Sequence, residues 1–171
     1  MRMMSWMVRG ALVGALLVSA TPMLSQESAK TQAELATALH GKHVPLTTGI
    51  AAATAKGKPI SAKYEYEGGK LLLSVYTEKG GQFSEVLVNP RTGKVAKTEK
   101  ITEGDDLKAS QAQSAAAAKA KSSLASAVAK ALATNKGYTA VGAVATTKNG
   151  QPTADITLMK GTEFKTVSEP L

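Results

Sequence analysis

Cysteine is absent from the 171 residues, so the chain has no disulfide, no thiol nucleophile and no thiolate metal site. Its fold must be held by its core alone. Histidine is nearly as scarce, with only His40 and His43, and no serine sits in a Gly-x-Ser-x-Gly elbow. A nucleophile and base pair therefore has almost no candidates, and the reading is non-enzymatic. Aromatic residues make up 4% of the chain and the single tryptophan is Trp6, too few among the basic residues for a base-stacking surface, so nucleic acid is not an expected partner. Neither a dinucleotide fingerprint nor a Gly-Lys-Ser/Thr phosphate loop is present, and no cofactor is expected.

What the chain does have begins at its N-terminus. Met1 to Arg9 carries Arg2 and Arg9 without an acid, and Gly10 to Ala20 is apolar and ends in Val18-Ser19-Ala20. That is the pattern of a secretory leader, and the apolar run is roughly half the ~20 residues a spanning helix needs. The expectation is a signal peptide over 1–20, cleaved after Ala20, and a periplasmic or secreted protein that does not span the membrane. Losing the two leader arginines lowers the net charge from +8 to +6. The lysines are scattered, which serves solubility, although a basic exported chain also attracts anionic polymers and membrane surfaces.

Apolar spacing predicts two short helices, one with Leu46, Ile50 and Ala53 and one with Leu124, Val128, Ala131 and Leu132. Pro45 suits the start of the first, and Ser123 suits the N-cap of the second. Alternation predicts strands: Tyr64 and Tyr66 fall on one face with Lys63, Glu65 and Glu67 on the other, and Leu71, Leu73 and Val75 form a second apolar face. Gly68-Gly69, Gly80-Gly81, Asn149-Gly150 and Gly161-Thr162 mark hairpin turns. Sliding the chain by 78 places Leu46-Thr47-Thr48-Gly49-Ile50-Ala51 on Leu124-Ala125-Ser126-Ala127-Val128-Ala129. With three extra residues placed around 147–150, an offset of 81 then matches Val75 to Ile156, Phe83 to Phe164 and Val86 to Val167.

The order Leu46 to Ile50, Ala62-Lys63-Tyr64-Glu65-Tyr66, Leu73-Ser74-Val75-Tyr76 and Glu85-Val86-Leu87-Val88, closed by Asn89-Pro90-Arg91-Thr92-Gly93-Lys94-Val95, resembles a PepSY domain. The resemblance implies a cystatin-like α+β module of exported bacterial proteins, proposed in some contexts to restrain peptidases. The expected architecture is two tandem small modules, each a helix on a short three-stranded antiparallel sheet. The expected segments are an N-terminal helical segment at 21–44, copy one at 45–100, an Ala-rich helical linker at 101–122 and a degenerate copy two at 123–171. Thr31-Gln32-Ala33-Glu34 has capping-box spacing for a short helix before Gly41.

Candidate partner contacts are Lys63, Glu65 and Glu67 on the outer strand face and Asn89, Arg91 and Lys94 in the turn. An exposed sheet edge can also accept an extended peptide by strand addition. His40 and His43 are three apart, but Gly41 separates them, so a weak metal carrier is only the third reading and no metal ligand is assigned. Glu65 with Glu67 reads as a solvated strand face, and Asp105-Asp106 lacks the spacing of a calcium loop. The leading reading is a protein- or peptide-binding module of the cell envelope that inhibits or regulates a peptidase. The alternative is a basic structural protein on an anionic surface.

Overall fold

A computed structural model describes residues 22–171; the leader expected over 1–20, with Trp6 and the Ala20 cleavage point, lies outside the described residues. The chain runs α1 (Pro22–Leu39), α2 (Leu46–Ala53), β1 (Lys58–Glu67), β2 (Lys70–Lys79), β3 (Gln82–Val88), β4 (Val95–Ile101), α3 (Gly104–Ala118), α4 (Leu124–Thr134), β5 (Thr139–Lys148), β6 (Gln151–Lys160) and β7 (Glu163–Pro170). The fold is α+β. Its strands do not form two separate small sheets: one antiparallel sheet of seven strands runs β4-β3-β2-β1-β5-β6-β7.

The join is the β1–β5 pair, where Ser61, Ala62 and Lys63 meet Val144, Ala143 and Gly142. On either side, α2-β1-β2-β3 and α4-β5-β6-β7 follow the same order, while β4 has no counterpart in the second half. A bulge interrupts β1–β2 at Ile60 and β5–β6 at Val141, and both side chains are buried. The hairpins β1–β2 and β5–β6 both turn on two residues, Gly68-Gly69 and Asn149-Gly150, all four at positive φ, as the tight turn requires. The extra residues of the second half therefore do not lie at 147–150. They lie in α4, which has 11 residues against 8 in α2.

Strand alternation sorts the sheet into two faces. Tyr64, Leu73, Val75, Val86, Ala143, Ile156 and Leu158 are buried on one, covered by α1, α2 and α4. Helices α2 and α4 bury equivalent stripes, Leu46, Gly49, Ile50 and Ala53 against Leu124, Ala127, Val128 and Ala131. Close approach needs small residues: a Cβ on Gly49 would meet Leu73 Cδ2 at 2.5 Å, and one on Gly57 would meet the Glu78 carbonyl oxygen at 2.6 Å. Ser123 caps α4, its hydroxyl accepting from the Ser126 N–H at 3.1 Å, whereas Pro45 precedes α2 without a side-chain cap.

Helix α3 lies on the opposite face. The Lys58 ammonium reaches the Ala117 carbonyl and the Tyr76 hydroxyl reaches Asp106. The Ala-rich segment is thus no bare linker. It buries Ser110, Ala116 and Ala117 against β5, β1 and neighbouring strands, ends at Ala118, and is separated from α4 by a turn. Helix α1 is longer than the expected short helix, so Thr31 to Glu34 lies within it and forms no N-terminal box; Lys30 and Glu34 approach at 4.0 Å across one turn.

Candidate partner-binding face

The face under α3 is left half open over β1, β2 and β3. Alternation and register assemble it: Lys63 lies beside Ser74, Glu65 beside Leu72, Ser74 beside Leu87, and Tyr76 beside Glu85. Lys63 and Glu65 form an ion pair at 2.7 Å, and the Lys63 ammonium lies 5.9 Å from the centre of the Tyr76 ring. The Tyr76 hydroxyl donates to Asp106 Oδ1 at 3.2 Å from the first turn of α3. Burial pushes the Tyr76 hydroxyl well above its ordinary value, with Glu85, Asp106 and Glu65 adding to the shift.

Burial also raises the Glu85 carboxyl. The Ser74 hydroxyl and the Lys63 ammonium oppose that rise, while the Glu65 and Asp106 carboxylates add to it. Glu85 is thus coupled to two other carboxyl groups and one ammonium, on a face that also carries the half-buried side chains of Leu72 and Leu87. No group of three or more His, Asp or Glu side chains that could hold a metal ion occurs among the described residues.

The residues singled out in the sequence divide into two groups. Lys63 and Glu65 are on this face, and Glu67 is exposed at its end, beside the β1–β2 turn. Asn89, Arg91 and Lys94 are in the β3–β4 turn, which packs toward α2 on the other side of the sheet. Asn89 Oδ1 accepts from the N–H groups of Arg91 and Thr92 at 2.9 and 3.0 Å, and the Pro90 carbonyl accepts from the Val44 N–H at 2.8 Å. Gly93 has φ +71°, and a Cβ there would meet Thr48 at 2.8 Å. The turn thus clamps the chain leading into α2. The Tyr64 hydroxyl holds the same stretch through the Val44 carbonyl, and burial pushes it up to about 12.

His40 is exposed just beyond α1, while His43 faces Gly41 O at 3.0 Å and meets the Tyr64 ring edge-on. Tyr76, Glu85 and Asp106 were missed in the sequence, although alternation about the buried Val75 and Val86 already sets Tyr76 and Glu85 on one face. In the second half, the Lys148 ammonium donates to Ser168 Oγ at 2.7 Å, a serine and lysine contact of the kind that can support nucleophilic chemistry. Here Asp155 pairs with the same ammonium at 2.6 Å and accepts from the Ser168 hydroxyl at 2.7 Å, so the three side chains form one network.

With this geometry in place, residues 24–99 match the family model "Peptidase propeptide and YPEB domain" (PepSY). Residues 24–99 form a PepSY domain. The matched segment takes in α1, α2, β1, β2, β3 and nearly all of β4, and with them every strand of the half-open PepSY face. No curated protein matches the chain. Among solved structures, a candidate lipoprotein from Clostridium difficile 630 is similar at 17% identity with a TM-score of 0.41, covering 76% of this chain and 88% of that one. No helix among the described residues is long and apolar enough to cross a membrane.

Proposed function

We propose that this protein is a non-catalytic, exported binding module whose open PepSY face docks a protein or peptide partner, with a peptidase as the first candidate. The observation that carries this reading is the family match over 24–99, which includes the whole face of Lys63, Glu65, Leu72, Glu85 and Leu87. The leader pattern at 1–20 supports a periplasmic or secreted location. Residues 123–171 are a second, degenerate PepSY-like copy, a reading supported by the shared element order and the equivalent bulges at Ile60 and Val141.

The test is inhibition of a panel of extracytoplasmic peptidases by the purified protein, followed by the variant carrying Leu72→Asp with Leu87→Asp. The expected result is that at least one peptidase is slowed and that the variant raises the inhibition constant tenfold or more while its circular dichroism is unchanged. A protein that slows no peptidase and retains no partner from envelope extract contradicts this function. Retention only of anionic polymer or lipid, lost at high salt through screening, supports the basic structural reading instead.

A further inference from the structure

We propose that two copies of this chain join edge to edge through β4, antiparallel about Thr98, so that two seven-stranded sheets become one. Strand β4 is the outer strand at one edge, and Val95 to Lys100 are all exposed, on both faces of the sheet. Val95, at 37% exposure, is the exposed large hydrophobic residue among those described. No helix among the described residues covers this strand, so a second sheet can approach in its plane.

An uncovered edge with lysines at 97 and 100 normally repels other strands. The sequence Val95-Ala96-Lys97-Thr98-Glu99-Lys100-Ile101 is different when it meets itself. Centred on Thr98, the antiparallel register sets Lys97 opposite Glu99 of the second copy and Glu99 opposite its Lys97, within the regular stretch from Lys97 to Ile101 that follows the bulge at Ala96. Opposed residues point to the same face, so the four central charges alternate in sign. Within one copy Lys97 and Glu99 already pair at 2.6 Å. Shifting the centre by one residue places Lys97 on Lys97 or Glu99 on Glu99, so the charges select one register.

The opposite edge, β7, has no such symmetry. Pairing it with itself about the midpoint of Glu163–Pro170 sets Phe164 against Glu169, and Pro170 has no N–H to donate. A contact using β4 on both sides is isologous and closes at two copies. The β1–β5 seam is an intramolecular precedent, since there the two halves also meet antiparallel about equivalent residues, Ala62 and Ala143.

The absence of cysteine permits a direct test, because an introduced thiol is the only one in the chain. In the paired state the Cα atoms of two Thr98 residues lie ~4.5–5.5 Å apart, within the window of about 4.4–6.8 Å for a disulfide. Two Ala96 residues lie about 14 Å apart at ~3.4 Å per residue. Thr98→Cys should therefore form a covalent dimer under mild oxidation at least tenfold faster than Ala96→Cys. In sedimentation velocity across a concentration series, Lys97→Glu or Glu99→Lys alone should weaken dimerisation at least tenfold, and the double exchange should restore it to within threefold. Equal cross-linking rates, a monomer at every concentration, an open-ended series of oligomers, or an edge occupied only by added peptide would each overturn the proposal. None of these readings depends on a peptidase partner.

Discussion

At the scale of the residue, the most consequential side chain of the PepSY face is Glu85. Its folded carboxyl titrates above the ordinary 4.5, first because it is buried and then because Glu65 and Asp106 are near. A raised folded value means that the folded chain binds this proton more tightly than the unfolded chain does. The stability it contributes is fully present below about pH 4.5 and is lost as pH rises through the raised value. Above that range the ionised carboxylate is a standing cost. Glu85→Gln keeps an acceptor for the Ser74 hydroxyl and removes the charge. Thermal melts should show a higher Tm for Glu85→Gln at pH 8 and little difference at pH 4. An equal shift at both values, or a lower Tm at pH 8, would contradict this account.

At the scale of the element, α3 shows why part of the fold was hard to read. Its alanines and serines carry little apolar periodicity, so Lys108 to Lys121 reads as a linker with little to bury, yet small side chains are what let a helix lie close on the sheet. Ser110 is fully buried and its hydroxyl has no hydrogen-bond partner. A buried unpaired hydroxyl is a net cost, and alanine is the better helix former. Ser110→Ala should raise the unfolding free energy by about 1 kcal/mol, whereas Ser110→Leu should lower it by about 1–3 kcal/mol through overpacking; urea titration monitored by circular dichroism measures both. Strand β4 was missed for a related reason. With Val95 to Lys100 exposed on both faces, it lacks the alternation that reveals a half-buried strand. By contrast, β1, β2 and the hairpin turns were legible, because a buried face and two-residue turns impose a pattern.

At the scale of the whole molecule, the β1–β5 seam makes one body of two similar halves, and local patterning contains no signal for it. Ala62 and Ala143 are 81 residues apart and meet only because each half presents the first strand of its sheet as an edge. Helices α2 and α4 touch above that seam, and α3 contacts both β1 and β5 below it. The seam is therefore enclosed, while β4 stands exposed at the margin. Local opening follows burial and contact density, so the two regions should differ widely in hydrogen exchange. Amides of 61–63 and 142–144 that donate within the sheet should exchange only with global unfolding, and those of β4 by a much cheaper local opening. A single denaturant transition, coincident by far-ultraviolet circular dichroism and tyrosine fluorescence, is the matching equilibrium result. Two separate transitions, or seam amides that exchange as fast as those of β4, would mean that the halves fold as independent units and that the shared sheet contributes little to holding them together.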